Sequence, residues 1–328
     1  QGQRCTQGRA IAAAQRILDG VELCAKGCRG VEHRLAVINQ DARPEIGRRA
    51  SHPGGIAQAC AMKAPEFPPM KGLASSHLAF ALFWLPTERR RDALLFYRFC
   101  RTIDDIADDP KRSTDEKRRL LDAWLEAEKW PPELESLLQR HTIDRSLLLA
   151  VVRGCAMDIE PRFYATFAEL EEYCWCVACA VGLVSIRIFG CSDPASENYA
   201  THLGHALQWT NMLRDVGEDA RQGRIYLPLE AMDRHNVTAK EILDQTPGKG
   251  FLPLMRTGAA RARSQFAAAE APTSDFSALL PARIMRAVYK KILTRLERDD
   301  FPVFQSRHRL HALEKLAIAV RVSLQKSP

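Results

Sequence analysis

Asn211-Met-Leu-Arg214-Asp215-Val-Gly-Glu-Asp219 spaces three oxygen-bearing side chains, Asn211, Asp215 and Asp219, at intervals of four residues. A helix through this segment sets all three on one face, one turn apart. A second acidic cluster, Asp104-Asp105-Ile-Ala-Asp108-Asp109, repeats the interval between Asp104 and Asp108. Two helices carrying such ladders and facing one another would hold hard divalent cations. Mg²⁺ takes one or two carboxylates together with waters and substrate phosphates. The plain alternative is that both ladders are solvated faces of surface helices.

Four facing carboxylates would repel one another in a dry cavity. At about 4 Å, two like charges cost about 4 kcal/mol at an effective dielectric of about 20. Cations remove that cost, so the pattern makes sense where a divalent metal and an anionic ligand bind together. Arg101 precedes Asp104 by one turn, Arg214 adjoins Asp215, and Tyr97 lies a further turn back. Guanidinium groups beside a carboxylate–metal site suit diphosphate recognition. The same helices carry Leu94, Phe96, Phe99, Ile103, Trp209, Met212 and Leu213. A polar metal end on an apolar interior points to an amphiphilic substrate, such as a prenyl diphosphate. Metal-assisted loss of diphosphate leaves an allylic carbocation, which needs shelter from water.

Around these ladders the pattern is helical almost without a gap from Ser75 onward. A helix is predicted from Thr87 to about Asp109, stopped by Pro110. The pair Ser113 and Glu116 opens the next, which reaches about Lys129 before Pro131-Pro132. Further helices are predicted over 146–159, then over 167–189 behind a Thr166/Glu169 capping box, and over 197–220, ending near Gly223. A Pro- and Gly-containing region follows, and helices resume over 254–270, 281–299 and 309–325. Alternating strand patterns are scarce. The expected fold is a single all-α helical bundle over 72–328 around a deep central cavity. Residues 1–71 read as a poorly ordered extension of unknown role, with one short helix over 11–23. They have Gly- and Pro-rich breaks and few large apolar residues to offset ordering entropy.

The chain has 328 residues and a formal net charge of +7. Residues 1–71 hold 11 Lys/Arg against 6 Asp/Glu, so the main body is near balance, which gives no basis for nucleic-acid binding. The ten cysteines do not follow a disulfide framework. Cys174, Cys176, Cys179 and Cys191 fall in or after an apolar helical run, where a free thiol serves as a small hydrophobe. Cys174-x-Cys176-x-x-Cys179 lacks the paired spacing of zinc sites. The expected compartment is reducing and cytoplasmic. The apolar run from Val177 to Ile186 is broken by Arg187, short of the ~20 residues a span needs, so no spanning segment is expected. The chain begins at Gln1, as a fragment or processed form does, and shows no signal peptide. His202-x-x-His205 reads as a pair of ordinary helix-face histidines. No phosphate loop, dinucleotide fingerprint or nucleophile elbow is present.

Two strings carry a resemblance. Tyr97-Arg-Phe-Cys-Arg101-Thr-Ile-Asp104-Asp-Ile-Ala-Asp108 and Gln208-Trp-Thr-Asn211-Met-Leu-Arg214-Asp215-Val-Gly-Glu-Asp219-Ala-Arg-Gln-Gly-Arg-Ile-Tyr-Leu-Pro228 closely resemble the two signatures of the squalene/phytoene synthase family. The likeness covers the chain from about Ser75, and Met157-Asp158, Tyr173 to Gly182 and Ala282-Arg-Ile-Met285 with Tyr289 also look like family positions. The resemblance implies an isoprenoid synthase fold. It implies Mg²⁺, with Mn²⁺ as a substitute, bound through Asp104, Asp108, Asn211, Asp215 and Asp219. It implies head-to-head condensation of two identical prenyl diphosphates to a cyclopropylcarbinyl diphosphate. Tyr97, Arg101, Gln208, Arg214 and Tyr289 then fall at positions that contact diphosphate or line the cavity, and Tyr173 takes a catalytic role. The helix reads Tyr173-Cys-Trp-Cys176, where relatives often carry a second tyrosine or a basic residue, so Tyr173 stands as the only local phenol.

The style of the first signature leans toward bacterial squalene-type enzymes. Two farnesyl diphosphates would then give presqualene diphosphate, and squalene where NADPH supplies a hydride. Phytoene from two geranylgeranyl diphosphates is the alternative. A one-substrate terpene cyclase would also use the ladder, but the string over 221–228 favours the condensing family. The alternative of another class is a non-catalytic scaffold on the same fold. Such proteins tend to lose the metal-binding aspartates, and all are present here. An apolar product implies peripheral contact with a membrane surface.

Overall fold

Prolines and short polar caps set where the helices begin. Pro86 precedes α1 (Thr87–Asp108), and Asp109, held extended ahead of Pro110, ends it. Ser113 accepts a hydrogen bond from the Glu116 N–H at 3.2 Å and opens α2 (Thr114–Glu126). Pro132 opens α3 (Pro132–His141), where the sequence reading took the Pro131-Pro132 pair only as a stop. At the first helical position the missing N–H has no partner to lose, and the fixed φ suits the helix. Asp144 caps α4 (Arg145–Ala156) by accepting from the Ser146 N–H at 2.8 Å.

Thr166 caps α5 (Phe167–Cys174), accepting from the Glu169 N–H at 3.3 Å. The return bond expected of a capping box is displaced by one residue: Glu169 accepts from the Ala165 N–H at 2.7 Å. The backbone then widens into a π-helical stretch, Trp175–Cys179, and continues as α6 (Ala180–Phe189). Next come α7 (Ala195–Arg221), α8 (Leu229–Arg234), α9 (Ala239–Leu243), α10 (Phe251–Ala268), α11 (Leu280–Arg298) and α12 (Ala312–Ser323). Helices α8 and α9 lie in the region read from sequence as Pro- and Gly-containing. The second is opened by a full capping box between Thr238 and Glu241.

This is a computed structural model in which residues 81–327 are described; they belong to one compact unit, and every helix or strand among them is helical. The predicted helix over 11–23 and the predicted extension lie outside the described residues. Helix α7 is central: it packs on α10, on the π-helical stretch, on α6 and on α11. Helix α1 packs on α4 and α6. Beside α1, Phe99 meets Trp124 and Trp130 with ring centroids 5.4 and 5.9 Å apart, and the Trp130 indole N–H donates to the Trp124 carbonyl at 3.0 Å.

The 23 residues Phe167–Phe189 are long and apolar enough, by length and composition, to cross a membrane. The sequence reading saw only the shorter run ended by Arg187. In the bundle this segment packs on α4 and α7, and 44% of its most apolar stretch is buried. The six cysteines among the described residues are free, and Cys174 and Cys179 are fully buried.

Candidate active site

The long α7 lays Gln208, Asn211, Asp215 and Asp219 along one face, as the four-residue interval dictates. The second half of α1 brings Asp104 and Asp108. The turn leaving α4 brings Asp158, and α5 brings Tyr173. Beyond α7 the chain reverses at Gly223, whose φ of 75° is the left-handed region that glycine enters without strain. The Arg224 N–H donates back to the Asp219 carbonyl at 2.9 Å, and Arg224 and Tyr226 fold over the same place. With Ala107, Cys155 and Met212 these residues line one cavity of about 170 Å³. Typical small-molecule pockets span about 300–1,000 Å³, so this volume suits a group of headgroup size.

Five of the lining residues are aspartates, and burial together with charge crowding raises three of them, Asp104, Asp158 and Asp219. Partial desolvation, then Asp108, raises the Asp104 carboxyl to about 6. Burial, then Asp215, raises that of Asp219 to about 7. Arginines sit against several of these carboxylates. Arg101 bridges Asp104 and Asp105, each at 2.7 Å. Arg224 donates to Asp108 at 2.9 Å and to the Asp158 carbonyl at 3.0 Å. Asp215 is held from two sides: Arg214 donates at 2.8 and 2.5 Å, and Arg307 at 2.8 and 2.9 Å. Arg307 also meets Glu218 at 2.9 Å. Arg214 is 8% exposed, and a guanidinium so buried requires partners of this kind.

Tyr173 and Tyr226 give the same cavity an aromatic wall. The Tyr173 hydroxyl donates to one oxygen of Asp158 at 2.7 Å, and the Tyr226 hydroxyl to the other at 2.8 Å. The two rings stack at 5.3 Å, and Tyr164 packs on both at 5.6 and 6.2 Å. Burial holds the Tyr173 phenol well above its ordinary pKa. Tyr173 is therefore not the only local phenol. Tyr164 and Tyr226 are distant in sequence and reach it through the loop before α5 and the turn after α7.

Asp104, Asp108, Gln208, Asn211, Asp215, Asp219 and Tyr173 thus share the cavity, as expected from sequence. Four other expected residues lie outside its lining. Arg101 is half-exposed at the mouth. Arg214 lies behind Asp215, with Tyr289 bonded to it in turn. Tyr97 is half-buried on α1. Asp158, Arg224 and Tyr226 were within reach of the sequence reading, because all three sit in strings quoted for the resemblance. Arg307 carried no such signal. His202 pairs with the Gln265 carbonyl oxygen at 2.8 Å and His205 is half-buried, consistent with ordinary helix-face roles.

Among the described residues, no three His, Cys, Asp or Glu side chains converge closely enough to grip one metal ion. Arginines are already paired with Asp104, Asp108 and Asp215. The donor set nonetheless fits a hard divalent cation. It consists of oxygens, burial and mutual repulsion have raised the Asp104 and Asp219 carboxyls, and the buried Oδ1 of Asn211, a cavity-lining residue, has no hydrogen-bond partner.

The family model described as Squalene/phytoene synthase matches residues 73–314. The presqualene diphosphate synthase of Sinorhizobium fredii is 36% identical over 260 residues, which cover 73% of this chain and 90% of that protein. The phytoene synthase of Arthrospira platensis is 31% identical over 254 residues, covering 68% and 80%. Among solved structures, a dehydrosqualene synthase in complex with ligand superposes with a TM-score of 0.63 at 24% identity, covering 76% of this chain and 90% of that one. That likeness shows the isoprenoid synthase fold. On the match across residues 73–314 and relatives above 30% identity, the chain belongs to the squalene/phytoene synthase family, whose members are prenyltransferases.

Proposed function

We propose that this protein condenses two farnesyl diphosphates head to head into presqualene diphosphate. The observation that carries the reading is the convergence of the α1 and α7 acidic ladders on one cavity that Tyr173 and Tyr226 also line. The identity to a presqualene diphosphate synthase supports the C15 substrate. In the reaction the C1–O bond of one substrate breaks, with its electron pair leaving on diphosphate. The C2=C3 π pair of the second substrate bonds to that carbon, and loss of a proton closes the cyclopropane.

Asp104, Asp108, Asn211, Asp215 and Asp219 would hold Mg²⁺, which neutralises the diphosphate and favours its departure. Arg101, Arg224 and Arg307 sit against the same carboxylates and offer planar donors for phosphate oxygens, while Arg214 holds Asp215 from behind. Tyr173 and Tyr226 give the cation an aromatic, electron-rich surface in place of water. The amphiphilic product, two farnesyl chains on one diphosphate, supports peripheral residence at the cytoplasmic surface of a membrane.

Product analysis tests this reading. Purified protein is incubated with Mg²⁺ and farnesyl or geranylgeranyl diphosphate, with and without NADPH, and the extract is identified by mass spectrometry. Presqualene diphosphate from the C15 substrate is the expected result, and squalene on adding NADPH would extend the reaction by its reductive half. Phytoene from the C20 substrate alone would move the protein to carotenoid synthesis. No product from either, with the protein folded, would favour the scaffold alternative.

A further inference from the structure

Asp158 sits at the centre of the tyrosine wall and belongs to neither acidic ladder. Each of its carboxylate oxygens accepts one phenol proton, from Tyr173 at 2.7 Å and Tyr226 at 2.8 Å. Its backbone carbonyl accepts from Arg224, which also holds Asp108. Burial raises the Asp158 carboxyl, and the two phenol hydrogen bonds and Arg224 oppose that rise by favouring the charged form; as a carboxylate it only accepts hydrogen bonds, so both hydroxyl protons are committed to it. The phenol oxygens are then left with lone pairs, and no free proton, for anything else in the cavity. Stacking at 5.3 Å fixes the two rings against each other, and the fully buried Tyr164 backs both.

We propose that Asp158 is a positioning residue: by taking both phenol protons it holds Tyr173 and Tyr226 as a paired, electron-rich face toward the carbocation. Two consequences follow from the chemistry. The face stabilises positive charge through ring quadrupoles and oxygen lone pairs. It also presents no O–H to protonate the double bond that must attack. Through Arg224, the same residue ties this face to the Asp108 end of the cavity. The inference deepens the prenyl-transfer reading and rests on it.

Asp158→Asn keeps the shape and removes the charge. With farnesyl diphosphate, kcat is expected to fall about 100-fold, as for a misaligned reacting group, while KM stays within about threefold. In a mutant cycle, D158N added to Y173F/Y226F should lose little more than Y173F/Y226F alone, because Asp158 acts through those two hydroxyls. A purely structural residue would instead give losses that multiply. Turnover of D158N within about threefold of the parent, or multiplicative losses, overturns the proposal. Should D158N fail to fold, Y226F removes one donor and leaves the charge. Its kcat should then fall about tenfold at unchanged KM, and an unchanged kcat overturns the proposal. The tyrosine ultraviolet difference spectrum of the metal-free protein separates this inference from the reaction assigned above. Loss of the carboxylate acceptor in D158N should shift that band to the blue even if the parent makes no product. An unshifted band overturns the positioning role whatever the product.

Discussion

Arg307 reaches Asp215 from 92 residues away in sequence and binds both of its carboxylate oxygens, at 2.8 and 2.9 Å. Arg214 already grips the same group from its own helix. Two guanidiniums therefore occupy a carboxylate assigned to metal. Arg307→Ala leaves one. Mg²⁺ binding to the substrate-free protein should tighten about tenfold, or about 1.4 kcal/mol, the scale of one charge-assisted hydrogen bond. Titration calorimetry measures this, and unchanged affinity would mean that Arg307 releases Asp215 without cost.

Asp219 gives the metal-free protein a pH dependence of definite sign. Burial and Asp215 raise its carboxyl from 3.8 in the reference state to about 7. The folded state thus binds more protons than the unfolded chain across that window, and stability falls as pH rises through it. Asp104, raised to about 6, acts in the same direction. The melting temperature in a chelating buffer should drop between pH 5 and 8. Asp219→Asn should flatten that drop, raise the melting temperature at pH 8 by several degrees, on the order of 2–4 °C per kcal/mol, and abolish turnover. A steeper drop in the variant would refute the assignment.

Gly217 lies between Asp215 and Asp219 on a turn of α7 where no side chain fits. A Cβ there would collide with the Val303 carbonyl oxygen and lie 3.0 Å from its carbon. Both obstacles are backbone, on the same segment that carries Arg307. Gly217→Ala should destabilise the fold by about 1–3 kcal/mol through overpacking. It should also loosen the Arg307–Asp215 pair, detectable as faster amide hydrogen exchange over 301–308. Unchanged exchange would show that the segment shifts without losing its anchor.

Asp275 is 5% exposed and holds the start of α7 in place. One of its oxygens accepts from the Ser192 and Asp193 N–H groups at 2.9 and 2.8 Å and from the Ser196 hydroxyl at 2.7 Å. Asp275→Ala strands two backbone donors and one hydroxyl. Urea unfolding should show a loss of about 2–4 kcal/mol. Asp275→Asn, which still accepts, should recover part of it, and equal losses in both would point to packing instead.

Much of the fold was legible because its rules are local. The intervals among Asn211, Asp215 and Asp219 and between Asp104 and Asp108 become helix faces by geometry alone. Caps such as Ser113 and Thr166 announce themselves within one turn. Local reading failed where a signal has two meanings. Pro132 can end a helix or begin one, and the short α8 and α9 are too brief to show a period.

The sequence by itself determined the acidic ladders, the all-helical fold and the apolar helix beside them, since each follows from spacing along one element. Only the tertiary structure decided which side chains meet. Arg224 reaches Asp108 across 116 residues, Tyr226 reaches Asp158 across 68, and Arg307 reaches Asp215 across 92. It also placed Tyr289 behind Arg214 and left Tyr97 outside the cavity lining. Spacing along a helix is set by the backbone, whereas pairing across helices depends on how buried apolar faces dock and which charges must be neutralised there.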